Sequence, residues 1–349
     1  MTNRNNLRSS AVFALGLIGG ALALTPSALE QGAVDVLTDD EIVVTATKRD
    51  DVLAQDVPGA LTTFSAEALE ALNFDDISSL TYTIPNVQLE DIGTAPGVAN
   101  FGIRGLGINS SIPSVDPTVG VFVDGMYYGI NAGIVVDTFD LEAIEVLRGP
   151  QGTLYGRNVT GGAVLIRTST PGDEFGVSAG ASYETGPEWT ADLSISGPLA
   201  PGVLSGKFAV YHQDDAGWFE NNFDGSQFGA SQLDIYRAAL RLTPNENVDM
   251  ILRVEQGYGE SDGPASQNHG FGRDARGTFD FSVNNRGYAI GDWEQAIFEV
   301  NVDVGFGDGT ITNIAGWRDY EGYSSGDIDA TGGSGFHSRA VNLQEQWSN

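Results

Sequence analysis

The chain has 349 residues, 17 Lys and Arg against 47 Asp and Glu, a formal charge of −30, and no cysteine. A nucleic-acid binder needs a basic footprint to neutralise phosphates, and this balance is the opposite. The missing cysteine excludes disulfides, thiolate metal sites and cysteine nucleophiles, while the length allows more than one domain.

Arg4 and Arg8 precede an apolar run over 11–24, and the small residues Ala21, Ala23, Ser27 and Ala28 offer cleavage sites. This three-part layout predicts a secretory signal peptide over 1–30. The run is shorter than the about 20 apolar residues a spanning helix needs. No later segment is a transmembrane-helix candidate. Any insertion into a membrane then falls to a closed barrel, whose strands satisfy one another's backbone groups. Residues 31–40 are short, polar and acidic and read as a lead-in. The β-prone run Glu41, Ile42, Val43, Val44, Thr45, Ala46, Thr47 follows, with no hydrophobic partner in that lead-in. A free strand of this kind suits addition to another protein's sheet edge. The residues alone equally allow an ordinary first strand of the next domain.

Over 51–170 the pattern predicts a small α+β domain. Ser65 is placed to cap a helix in 62–73, with Glu67 in its first turn. Asp75 or Asp76 can cap a second short helix through Leu80, stopped before Pro85. Short β-prone runs lie at 87–91, 100–104, 119–124 and 144–148, separated by Gly- and Pro-rich loops. Long loops on a rigid scaffold commonly carry function. Gly156 to Gly162 has the spacing of a phosphate-cradling loop but no lysine, and Gly102, Gly105 and Gly107 do not form a dinucleotide fingerprint. These glycines serve tight turns and close backbone approach. The sequon Asn158-Val159-Thr160 is too short a pattern to carry weight.

After the linker at 171–174 the period changes to two. Phe298, Val300 and Val302 alternate with Glu299, Asn301 and Asp303, and Met250, Leu252 and Val254 with Asp249, Arg253 and Glu255. In a strand these sets lie on opposite faces. Alternation alone fits a soluble sandwich or a membrane barrel, and the connections separate the two. Short turns at 197–202, 244–247 and 306–309 alternate, short then long, with polar loops at 214–231, 259–292 and 321–338. Outer-membrane barrels have this asymmetry. Tyr183, Trp189, Tyr211, Trp218, Tyr258, Trp293 and Tyr320 lie near strand ends and are read together as interfacial girdles. Eight strands are predicted, at 175–184, 189–197, 203–213, 232–243, 247–257, 294–305, 310–320 and 339–349.

Several segments resemble TonB-dependent outer-membrane receptors. The run at 41–47 is similar to their TonB box. Phe101 to Gly105, Val121 to Gly125 and, most specifically, 141–171 (LEAIEVLRGPQGTLYGRNVTGGAVLIRTSTP) resemble their plug signature. The resemblance implies an α+β plug domain over 51–170, followed over 175–349 by antiparallel transmembrane β-barrel strands. A plugged lumen belongs with about 22 strands, and eight leave no room for a plug, so a truncated barrel is expected. A partial barrel leaves open edges facing lipid.

The same resemblance implies TonB-energised uptake of a scarce solute, by default a ferric siderophore. Expected partners are TonB at 41–47, outer-membrane lipid and the cargo, with a monomer at full length. Arg104 and Arg148 are expected to pair with acids on the barrel wall. Asn109, Ser110, Asp116, Tyr127, Tyr128 and Asn131 are expected to touch cargo. The two tyrosines serve equally well as plug-to-barrel packing.

No enzyme, cofactor or metal site is expected. His212, His269 and His337 are scattered, no nucleophile elbow exists, and acids in the outer loops read as solvated rather than calcium-binding. The acidic balance favours cationic partners or simply solubility. The alternatives are a secreted or surface β-rich adhesion protein without transport, which would be soluble without detergent, and an inactive fragment.

Overall fold

The computed structural model describes residues 43–44, 52–72, 74, 77–92, 95–108, 115–130, 132–134, 139–269, 278–306, 309–333 and 335–349. The expected signal peptide and lead-in, and the candidate residues Glu41, Ile42, Thr45, Ala46, Thr47, Asn109, Ser110 and Asn131, lie outside them. All described residues fall in one unit, Val36–Asn349.

The N-terminal part opens with β1 (Val43–Val44), paired antiparallel with β2 (Val52–Leu53). Strand β3 (Ala60–Ser65) runs straight into helix α1 (Ala66–Ala71), whose first turn is capped by Ser65 accepting from the Ala68 amide at 3.3 Å. A 3-10 turn covers Ile77–Tyr82. A three-stranded sheet follows, of β4 (Val87–Ile92), β5 (Ala95–Ile103) and β6 (Leu106–Gly107). Next come β7 (Val119–Val123), β8 (Met126–Tyr127), β9 (Leu141–Arg148), the short helix α2 (Gly152–Tyr155) and β10 (Gly162–Thr168). They complete a mixed sheet in the order β3-β9-β10-β7-β8, with β10 and β7 parallel. Phe64, Leu80, Leu89, Ile103, Ile144 and Val164 form its apolar core.

The C-terminal part is one antiparallel wall. Its strands are β11 (Gly176–Glu184), β12 (Glu188–Ala200) and β13 (Leu204–Asp215). The hairpin β14 (Phe219–Asn221) and β15 (Ser226–Phe228) lies within the next loop. The wall continues with β16 (Ser231–Asn245), β17 (Val248–Ser261), β18 (Tyr288–Val304), β19 (Gly309–Asp327) and β20 (His337–Ser348). The order β11-β12-β13-β16-β17-β18-β19-β20 makes an open sheet with β11 and β20 at its edges, not a closed barrel. These are the eight expected strands. Strands β16 to β19 run 15, 14, 17 and 19 residues, longer than the roughly 9–11 a tilted strand needs to cross a bilayer. No described helix is long and apolar enough to cross a membrane.

Alternation gives the wall two faces. Phe208, Tyr236, Leu240, Leu252, Phe298 and Leu343 are exposed on one face. Ile235, Arg237, Gln295, Ile297 and Arg318 are buried on the other, against the N-terminal part. A broad apolar face of this kind belongs in lipid rather than water.

Two expectations need correction. Tyr211, Trp293 and Tyr320 do not belong to a lipid-facing girdle. Tyr211 packs on Phe139, and Trp293 and Tyr320 are buried with Val98 and Ala132 of the N-terminal part. On its own strand each shares the parity of an inward residue: Tyr211 with Lys207, Trp293 with Gln295 and Ile297, and Tyr320 with Arg318. The alternation of short and long connections also fails at the first hairpin. Residues 185–187 form a short turn at the end of the wall that carries the long loops.

Candidate functional site

The wall reaches the N-terminal part through charge. Asp124 follows β7 in the turn to β8, at a φ of 46°. Its carboxylate accepts from the Thr168 amide at 2.9 Å and the Thr168 hydroxyl at 2.8 Å, and faces Arg253 at 3.6 Å. Burial pushes the Asp124 carboxyl up, against the downward pull of Arg253 and Thr168. Asp140, in the turn just before β9, pairs with Lys207 of β13; both side chains are about 5% exposed. Lys207 also donates to the Ser169 carbonyl at 2.9 Å. Arg237 pairs with Glu255 at 2.6 Å and donates to the Phe139 carbonyl. Arg253 pairs with Glu299 at 3.0 Å.

The expected ion pairs have the opposite polarity. Arg148 donates to Thr62 Oγ1 and the Pro85 carbonyl, inside the N-terminal part. Arg104 lies beside Gly149. Among the described residues neither forms an ion pair with the wall. Acids on the N-terminal part, Asp124 and Asp140, meet cations on the wall instead. Acids and bases cannot be paired across domains from one sequence, so nothing in the pattern singled these out.

Of the other candidates, Tyr128 is buried. Its hydroxyl donates to Gln295 of β18, its ring lies 4.5 Å from the Arg318 guanidinium, and burial raises its pKa. It is therefore interface packing, not an open stacking surface. Tyr127 packs on Phe122 at 5.4 Å, and Asn158 bridges its hydroxyl to Asp116 at 2.9 and 3.1 Å. The segment after β8 docks on β20, with the Gly129 amide donating to Gln346 at 2.9 Å.

Of the two residues described in the 41–47 run, Val44 is the informative one. The run is not a free strand where it is described. Val44 is 1% exposed and packs with Phe122, Leu147 and Leu165. An apolar β-branched residue on a short strand hides its side chain wherever the adjoining domain offers a pocket.

A cavity of about 150 Å³ opens at the long-loop end of the wall, where Val98 and Gly133 of the N-terminal part approach it. Its lining includes Leu233, Trp293, Tyr320 and Gln213. Trp293 Nε1 donates to Glu255 at 2.8 Å. Its ring lies so close to Gly257 that a Cβ there would sit 1.9 Å away. Gly257→Ala is therefore expected to push the ring off the wall and to cost about 1–3 kcal/mol of overpacking. Tryptophan emission and thermal unfolding check this; two unchanged signals would mean the ring does not rest on Gly257. The sequence pointed to Asn109, Ser110, Asp116, Tyr127, Tyr128 and Asn131, not to this cavity. Strand parity, counted from Phe298, would have turned Trp293 inward.

Comparison with known proteins adds the family. Residues 53–163 match the family model of the TonB-dependent Receptor Plug Domain. The pesticin receptor of Yersinia pestis is 29% identical over 215 residues, covering 60% of this chain and 30% of that protein. The iron-regulated outer membrane virulence protein of Vibrio cholerae is 27% identical over 259 residues, covering 69% and 36%. Among solved structures, the ferric yersiniabactin uptake receptor of Yersinia pestis aligns with a TM-score of 0.70 at 21% identity, over 78% of this chain and 42% of that one. The ferripyoverdine receptor of Pseudomonas aeruginosa aligns at 0.68 and 15%, over 90% and 42%. The chain thus spans about a third of the length of these curated relatives.

Proposed function

We propose that this chain, which belongs to the TonB-dependent receptors of the Gram-negative outer membrane, serves TonB-energised uptake of a ferric siderophore. The reading divides it into a lead-in with TonB box (31–50), a plug (51–170) and the N-terminal part of a transmembrane barrel (175–349). It is a receptor without catalysis. The observation that carries it is the seating of a plug-like domain on the inner face of an amphipathic wall, beneath a cavity at the long-loop end. Names of relatives support the cargo class: ferric yersiniabactin, ferripyoverdine and ferrioxamine B recur, beside vitamin B12.

Cargo captured from outside would enter the cavity and loosen the plug. The strand at 41–47 would then pair with TonB, whose pull shifts the plug. Binding of a TonB C-terminal domain to the purified chain in detergent tests this. Val43→Pro is expected to abolish binding, because proline removes a ladder donor. Absence of binding by the wild type would withdraw the partner assigned to 41–47.

A further inference from the structure

Arg318 of β19 is 0% exposed. Its guanidinium lies 4.5 Å from the Tyr128 ring centre and 5.1 Å from that of Tyr320. It donates to the Gly133 carbonyl at 2.8 Å and to Gln344 Oε1 at 3.1 Å, and its Nε has no acceptor. Four other cations on the wall, Lys207, Arg237, Arg241 and Arg253, each pair with a carboxylate. Among the described residues Arg318 does not. A buried guanidinium without a counter-charge retains part of its desolvation cost, which aromatic faces and neutral oxygens offset incompletely.

What covers Arg318 is the floor of the cavity. Tyr320 and Gly133 line that cavity. The Tyr320 ring sits in a socket of glycines. A Cβ at Gly133 would lie 2.3 Å from the ring, and one at Gly322 or Gly291 would lie 2.7 or 3.4 Å from its hydroxyl. Side chains larger than glycine at these places would collide with the ring, which packs directly against the glycine backbones.

The geometry points to Arg318 as a concealed anion-recognition residue for the cargo. An oxyanion on the cargo, carboxylate or catecholate, displaces the Tyr320 ring and takes the guanidinium in a charge-assisted pair. The guanidinium then turns from the Gly133 carbonyl, so occupancy weakens a bond between wall and plug. This rests on the receptor reading above and narrows it to anionic chelates.

The test is equilibrium dialysis of the full chain in detergent with two probes, an anionic ferric tricatecholate and an uncharged ferric trihydroxamate. The wild type is expected to bind the anionic probe more tightly. Arg318→Gln is expected to weaken the anionic probe at least about tenfold and to leave the uncharged probe unchanged. Arg318→Lys, which keeps the charge, is expected to restore most of the preference. Tyr320→Ala uncovers the guanidinium and is expected to tighten the anionic probe; if Arg318→Gln does not fold, this variant decides. Equal losses for both probes in Arg318→Gln, a wild-type preference for the uncharged probe, or no tightening in Tyr320→Ala overturns the assignment. Binding of neither probe by the wild type overturns the siderophore-receptor reading itself.

Discussion

Asp140→Asn is expected to destabilise the seating of the plug on the wall by about 3 kcal/mol, the low end for breaking a buried ion pair. Asp140 and Lys207 are both almost fully enclosed. Removing the carboxylate charge leaves the ammonium held only by Ser169 and the asparagine carbonyl, with the Arg237 guanidinium nearby. Asparagine is the right replacement because Asp140 sits at a φ of 56°. Asparagine tolerates that left-handed conformation, whereas alanine would add backbone strain of its own. The reverse change, Lys207→Met, leaves Asp140 buried without its cation and is expected to cost a similar amount. The double variant is expected to recover most of the loss, since a neutral pair leaves no buried charge. Thermal unfolding in detergent and protease sensitivity of the plug report the effect. A single-variant loss below about 0.5 kcal/mol, the range of an ordinary surface change, would show that the pair is dispensable.

The wall was legible because alternate residues of its strands lie on opposite faces, and in the central strands one face is apolar and exposed while the other meets the plug. Phe298, Val300 and Val302 against Glu299 and Asn301 report that division directly, and all eight strands follow from it. Strand β10 was missed for the opposite reason. Its residues Gly162 to Ile166 are all buried, and it sits between β9 and β7, so no alternation marks it. Strand β3 was hidden by the helix that follows without a loop. Ser65 was read correctly as a cap, but Ala60 to Phe64 before it pair with β9 rather than start a turn of helix. The site was the least legible part. Asp124 meets Arg253, Asp140 meets Lys207 and Arg318 meets Gly133, each far away along the chain. Their meaning lies in which strand faces which turn, which a one-dimensional pattern does not carry.

On the proposed pairing of 41–47 with TonB, Val44→Ala is expected to tighten that binding about five- to thirty-fold, although it makes a single contact smaller. In the resting chain β1 pairs with β2, Val43 opposite Leu53 and Val44 opposite Val52. The Val44 side chain is enclosed by Phe122, Leu147 and Leu165. A partner that adds its own strand to 41–47 must first take this segment from β2 and from that pocket. The apparent affinity is then the intrinsic affinity reduced by the fraction of chains with the segment undocked. Shortening a buried valine to alanine removes about 1–2 kcal/mol of docking free energy. That raises the undocked fraction by the same factor of about 5–30. Strand addition is carried by the main chain, which alanine keeps intact and Val43→Pro does not. The two neighbouring substitutions are therefore expected to move the affinity in opposite directions. Calorimetric titration of each variant with the TonB domain separates the cases. Weaker binding by Val44→Ala would mean that the partner reads the valine side chain itself. Unchanged binding would mean that docking against β2 does not compete with the partner.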